Sequence, residues 1–349
     1  MRKNTRKIYI GNTPVGGGSP ITIQSMTNTK TYDVKATVQQ ILELEREGCD
    51  IVRVAVPDKR AASCLADIKK GISIPLVADI HFDYRLAIAA INAGADALRI
   101  NPGNIGSAER LARVVKAAAA RGIPIRIGIN GGSLEKDILE KYKTPCAEAL
   151  VESALRSIRL IEGMNYYNIK LSLKASDVLT TVQAYRLVSQ KVDYPLHVGV
   201  TEAGTFLSGT VKSSIGIGSL LMEGIGDTIR VSLTDRPVRE VEVGREILKS
   251  LGLYRKASID IISCPTCGRC GINLIELAER VADRVKDVKK PLKIAIMGCA
   301  VNGPGEAREA DIGIAGGSGK GIVFKKGKTI RTVREQDLLE ALMEEIDKY

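Results

Sequence analysis

Between residues 20 and 252 the chain alternates two hydrophobic rhythms. Short runs rich in Ile, Val, Leu and Ala recur at 20–27, 50–57, 75–83, 96–104, 124–132, 167–176, 195–204 and 227–235. Each is followed by a longer stretch in which apolar residues return every three or four positions, as in VKATVQQILELEREG (34–48) and SAERLARVVKAAAARG (107–122). Near-continuous apolar runs fit strands buried on both faces, and the longer period fits helices packed on one side. Eight such units in succession predict an α/β protein of the (β/α)8, or TIM, barrel type. The competing doubly wound sheet lacks its Gly-x-Gly-x-x-Gly turn after the first strand. Residues 1–19, with KIYIG and the turn VGGGSP, predict a hairpin closing the bottom of the barrel.

The rhythm changes after Gly252. Strand-like runs at 258–265, 292–299, 310–317 and 321–333 and helical runs at 272–288 and 335–349 predict a second, small α+β domain. The expected division is 1–254 and 255–349. The glycine-rich GGSGKGIVF (316–324) lies between two strands and lacks the Lys-Ser/Thr and following helix of a phosphate loop, so it reads as a hairpin turn.

The barrel strands carry an anomaly. Near the middle of each stands one polar residue where a buried strand calls for an apolar one: Gln24, Arg53, Asp79, Arg99, Arg126, Lys170, His197 and Arg230. Side chains two apart share a face, so His81, Asn101, Ser172 and Ser232, and then Asn130, Lys174, Thr201 and Thr234, extend the same faces toward the strand ends. An unpaired charge in a core is very costly, and a whole ring of them in phase argues against simple core. The expectation is a polar, mainly basic lumen opening at the C-terminal mouth, suited to a phosphate or diphosphate.

This reading changes the meaning of the net charge. With 349 residues, 51 Lys and Arg, 40 Asp and Glu and a formal charge of +11, the chain could be a nucleic-acid binder or an enzyme with a basic surface. A basic lumen accounts for part of the excess with a small anion and no nucleic acid. No apolar run approaches the ~20 residues of a membrane span, and the basic start lacks a signal-peptide core, so the expected location is cytoplasmic. In a reducing compartment, free thiols favour metal binding over disulfides.

Four of the seven cysteines cluster late: Cys264, Cys267 and Cys270 at C-x-x-C-x-x-C spacing, then Cys299 in MGCAVNGPGE, which ends on Glu306. Cys49, Cys64 and Cys146 stand alone and read as core or neutral surface. A zinc ribbon needs a second close pair, and the only histidines, His81 and His197, lie in the barrel. A cluster held by Cys264, Cys267, Cys270 and Cys299 is the reading that spacing favours. Barrel enzymes that cleave S-adenosylmethionine use a different spacing near the first strand, and a basic binding protein with structural zinc is a third possibility.

The motifs QSMTNT (24–29), DIHFD (79–83), RINPGN (99–104), INGGSL (129–134), KLSLKAS (170–176), HVGVTEAG (197–204), ISCPTCGRC (262–270) and MGCAVNGPGE (297–306), in this order, resemble the 4-hydroxy-3-methylbut-2-enyl diphosphate synthases over essentially the whole chain. The resemblance implies a TIM barrel followed by a ferredoxin- or sulfite-reductase-like domain. It implies a [4Fe–4S] cluster held by Cys264, Cys267, Cys299 and Glu306, with Cys270 beside it, against the spacing argument. It implies reductive opening of 2-C-methyl-D-erythritol 2,4-cyclodiphosphate on the methylerythritol phosphate route to isoprenoids, electrons from ferredoxin or flavodoxin, and a homodimer whose cluster domain closes the partner's barrel. The expected substrate contacts are Arg53, His81, Arg99, Arg126, Asn130, Lys170, Ser172, Lys174, His197 and Arg230. Glu306 is also assigned to the chemistry, and Glu202 is either an acid near the carbon skeleton or a rim carboxylate pairing a lumen arginine.

Overall fold

The structure is a computed structural model and describes residues 2–299, 307–317 and 319–349. It divides into two compact units, residues 1–254 and 255–349.

In the first unit, eight parallel strands follow one another around a barrel: β3 (Thr22–Met26), β4 (Ile51–Ala55), β5 (Leu76–Asp79), β6 (Ala97–Ile100), β7 (Ile125–Asn130), β8 (Ile169–Lys174), β9 (His197–Val198) and β10 (Thr228–Ile229). The order β8-β7-β6-β5-β4-β3-β10-β9 is unbroken, as right-handed strand–helix–strand crossovers dictate. The outer faces of the strands pack on α1 (Val34–Glu47), α2 (Lys59–Lys70), α3 (Tyr84–Asn92), α4 (Ala108–Arg121), α5 (Lys136–Tyr142), α6 (Ala147–Glu162), α7 (Val178–Ser189), α8 (Phe206–Met222) and α9 (Pro237–Ser250). Asp33, Asp58, Asp83, Ser107 and Asp177 each accept a backbone N–H with the side chain, starting α1, α2, α3, α4 and α7 just past the strand ends. The hairpin of β1 (Ile8–Ile10) and β2 (Thr13–Val15) packs Ile8, Ile10 and Val15 on Ile51, Val77 and Ala97, at the N-terminal ends of β4, β5 and β6. It plugs the bottom of the barrel.

The seam between β8 and β9 is thin, a single bridge between Leu171 and Leu196. A side chain completes it. Tyr185 of α7 is fully buried; its hydroxyl accepts the Leu173 N–H at 3.1 Å and donates to the His197 carbonyl. Burial pushes this phenol above its ordinary range, so it stays a donor. Tyr185→Phe is expected to leave both backbone groups unsatisfied, at about 1–3 kcal/mol each, and to lower the melting temperature by several degrees. Unchanged melting would show that the seam does not depend on this hydroxyl.

One expectation needs correction. The runs at 195–204 and 227–235 form ladders of only two residues each, β9 and β10, because the backbone of Arg230 runs against Gly199: a Cβ there would lie 2.2 Å from the Arg230 carbonyl oxygen. The Gly/Ser-rich stretch after β9 lies within α8. Cβ atoms on Gly209 and Gly216 would meet Leu233 and Val200 at 2.5 and 2.8 Å, so the small residues let this helix lie close on the strands. The helical region after β7 is two helices, α5 and α6, with Lys143 in the left-handed region between them.

The second unit is a five-stranded sheet in the order β11 (Asp260–Ser263), β12 (Lys293–Met297), β13 (Ile312–Gly317), β14 (Lys320–Lys325) and β15 (Lys328–Arg334). The first three strands are parallel and the last two antiparallel. One face carries Ile294, Ile296, Ile312, Ile314 and Val323 against α10 (Leu274–Val285) and α11 (Leu338–Asp347); the other is a smaller cluster of Ala295, Met297, Ala315 and Phe324. The described residues of the glycine-rich 316–324 belong to the antiparallel pair β13 and β14, with Gly316 opposite Gly321, and form no phosphate loop.

Candidate active site

The register of the ladder places the lumen charges. Asp79, Arg99, Arg126 and Lys170 are direct neighbours on one rung across four strands, β5 to β8. Arg53 lies on the rung below, opposite Val77. Asp79 is the hub: its carboxylate meets Arg99 Nη1 at 3.4 Å, Arg53 Nε at 3.8 Å and His81 Nε2 at 3.3 Å. Arg126 reaches across the barrel to donate to Gln24 Oε1 at 3.1 Å, and Arg53 lies on Met26 Sδ. Gly128, two residues beyond Arg126 on the same face, leaves room for Arg99; a Cβ would lie 2.5 Å from its Nε.

Six cations, Arg53, Arg99, Arg126, Lys170, Lys174 and Arg230, face two lumen carboxylates, Asp79 and Glu240. Arg126, Lys170 and His197 are 3%, 2% and 0% exposed. Among the described residues no carboxylate pairs with Arg126, Lys170 or Lys174. Burial drives Lys170, Lys174 and Arg126 well below their ordinary values, reinforced by neighbouring cations, and takes Arg53 down to about 10 despite Asp79. For Asp79 burial pulls upward but loses to Arg53, the His81 hydrogen bond and Arg99, so its carboxyl stays ionised well below the usual range. His197 is held neutral by burial and the surrounding cations; its Nδ1 lies 2.7 Å from Thr228 Oγ1. Buried Gln24 Nε2, Arg126 Nε, Lys170 Nζ, His197 Nε2 and Arg230 Nε have no hydrogen-bond partner among the described residues. Each such group costs about 1–3 kcal/mol. An acceptor-rich anion repays that cost at once, with charge-assisted bonds.

The other expected contacts fall at the mouth. Ser172 is buried opposite Gly128, and Asn130 pairs with Lys174 at the ends of β7 and β8. The His81 side chain is 57% exposed, with its Nε2 against Asp79. Glu202 is exposed with φ +52°, in the left-handed region that a non-glycine residue enters at a cost. Asn101 does not face the lumen: its amide donates to Ser133 and its oxygen accepts the Gly103 N–H, so it caps its own loop. Glu240 is absent from the sequence reading. It is a buried acid on the apolar face of α9, in phase with Pro237, Val241, Gly244 and Leu248, and that phase was the available signal.

In the second unit, Cys264 follows β11 and Cys299 follows β12, its parallel hydrogen-bonded neighbour, so both follow the C-terminal strand ends on one side of the sheet. The Cys264 sulfur accepts the Gly298 N–H at 3.2 Å. Gly298 is itself crowded by Cys270, whose Sγ would lie 2.5 Å from a Cβ there. Cys270 spends its thiol on the Ile272 carbonyl and packs on the core, whereas Cys267 is exposed. Glu306 lies outside the described residues, and among the described residues no three Cys, His, Asp or Glu are gathered as a metal site. The donor set nonetheless fits an iron–sulfur cluster: a sulfur already accepting a backbone N–H, a neighbouring strand end carrying a second cysteine, and a glycine admitting close approach.

Two family models match: the GcpE TIM-barrel domain over residues 5–245 and the GcpE protein C-terminal domain over 260–348. The chain belongs to the GcpE family. Among GcpE relatives, a 4-hydroxy-3-methylbut-2-en-1-yl diphosphate synthase (flavodoxin) of Caldanaerobacter subterraneus subsp. tengcongensis is 63% identical over 348 residues, covering 100% of this chain and 98% of that protein. The protein of the same name from Clostridium acetobutylicum is 61% identical, covering 99% of each. Solved structures show how widely the GcpE barrel is shared. An N-acetylneuraminic acid synthetase from Leptospira borgpetersenii superposes with a TM-score of 0.52 at 13% identity, covering 72% of this chain and 92% of that one. A dihydropteroate synthase from Xanthomonas albilineans gives 0.50 at 14% identity, covering 70% and 97%. At such identities the likeness is one of fold.

Proposed function

We propose that this chain reduces 2-C-methyl-D-erythritol 2,4-cyclodiphosphate to 4-hydroxy-3-methylbut-2-enyl diphosphate, as the named relatives imply. The observation that carries the reading is the uncompensated cationic wall of Arg126, Lys170 and Lys174 in a lumen closed at its bottom. Two electrons and a proton enter, the bond from C2 to the diphosphate oxygen breaks, the C3 hydroxyl leaves as water, and a C2–C3 double bond forms.

Cys264, Cys267, Cys299 and Glu306 would hold a [4Fe–4S] cluster, which supplies the electrons singly from flavodoxin or ferredoxin. Arg53, Arg99, Arg126, Lys170, Lys174 and Arg230 bind the diphosphate and stabilise the charge that it gains when the ring opens. Asp79 keeps Arg53 and Arg99 fixed in the free lumen. Neutral His197, Ser172 and Asn130 orient the ring oxygens, and His81 and Glu202 stand at the mouth, where Glu202 gives the departing hydroxyl its proton. Residues 1–254 are the substrate-binding domain and 255–349 the cluster domain of a cytoplasmic homodimer. No described helix is long and apolar enough to cross a membrane.

Anaerobic turnover of the cyclodiphosphate with a one-electron donor tests the proposal. Allylic diphosphate formed in proportion to electrons consumed is the expected result. An iron-loaded protein that neither binds nor reduces the compound would sink it.

A further inference from the structure

Arg230 is the lumen cation with the most complete set of partners among the described residues, and its carboxylate is delivered by an outer helix. Glu240, on the first turns of α9, is 5% exposed. Its Oε1 accepts Arg230 Nη2 at 3.0 Å and the Leu233 N–H at 3.1 Å, and its Oε2 accepts Ser25 Oγ at 2.9 Å. Arg230 Nη1 donates to Ser232 Oγ at 2.9 Å. One carboxylate thus joins β3, the residue after β10 and the loop leading into α9. The ladder does little there, since β10 pairs over two residues only. Arg230 Nε is left without a partner.

We infer that Glu240 is a positioning residue, which fixes the Arg230 guanidinium at the lumen with its Nε edge free for an oxygen of the bound diphosphate. This rests on the lumen being the diphosphate site. Two effects of Glu240 oppose each other. As a negative charge it weakens the attraction of the lumen for an anion. As an anchor it removes the rotamer freedom that an arginine otherwise loses on binding. At 3.0 Å the carboxylate's charge is largely spent on Arg230 itself, so the anchoring dominates.

Glu240→Gln separates the two, because glutamine keeps the size and the acceptor for Leu233 and loses the charge that holds Arg230. In the full-length, anaerobically reconstituted enzyme it is expected to raise the dissociation constant of the cyclodiphosphate about tenfold, as loss of a charge-assisted contact does. The loss should fall on KM, with iron content unaltered. Placed on an Arg230→Met background, the same substitution should change the constant less than about twofold, since the group it positions is gone. Equal factors in both backgrounds would overturn the inference, as would unchanged or tighter binding in the single variant. Arg126→Met is the control for the underlying reading: if it too leaves binding unchanged, the lumen is not the anion site; if it weakens binding while Glu240→Gln does not, only the role of Glu240 fails.

Discussion

Cys299→Ala is expected to yield a protein without its iron–sulfur absorbance and without turnover, while Cys270→Ala keeps both. The two cysteines are near neighbours of Gly298, yet the structure treats them differently. Cys270 is folded onto the core with its thiol bonded to the Ile272 carbonyl. Cys299 follows the end of β12, beside the strand that delivers Cys264. Removing one thiolate from a cluster leaves an iron without its ligand, and the metal's binding free energy is lost with it. Iron and sulfide analysis with the visible spectrum reads the outcome. A cluster surviving in Cys299→Ala would refute Cys299 as a ligand; a cluster lost in Cys270→Ala with the fold intact would restore the all-cysteine set that spacing favours.

Arg126→Met should raise the dissociation constant of the cyclodiphosphate by on the order of ten- to a hundredfold, the range of one to two lost charge-assisted bonds. Arg126 is the buried cation that spans the barrel to Gln24 and has no acid of its own. Methionine fills similar space, so iron content and melting should change little. Proton linkage gives a second readout. Burial holds Lys170 and Lys174 well below the ordinary lysine value in the free lumen, and a bound dianion raises them. A group whose pKa is higher in the complex favours binding in its protonated form. Affinity should therefore weaken as pH rises toward that higher value, and binding should take up protons in calorimetry across buffers. Proton release, or affinity that strengthens with pH, would contradict the account.

The barrel was legible because it repeats. Eight buried strands in one chain impose the same apolar run and the same helical period eight times, and a polar residue in phase within each run is conspicuous against that background. Charges such as Arg99, Arg126 and Lys170 stand out by one-dimensional arithmetic, and the ladder sets them side by side. Tyr185 and Glu240 were not legible as functional groups. Each is one polar residue on the inner face of an outer helix, and its importance lies in partners twelve to more than two hundred positions away: Leu173 and His197 for the one, Ser25 for the other. Asn101 shows the converse error, since strand phase places it in the lumen and local loop bonds take it out.

Order, period and residue type along the chain determined the fold class and the basic, anion-seeking character of the lumen, because buried strands and helices impose their periods on any sequence that forms them. The motifs placed the chain in its family and gave the expected ligand set. Tertiary structure decided which charges are paired and which are not. Asp79 serves Arg53 and Arg99, Glu240 serves Arg230, and Arg126, Lys170 and Lys174 have no carboxylate partner among the described residues. That division follows from distances of 3.0 to 3.8 Å between groups on different strands and helices, a quantity that no spacing along the chain contains.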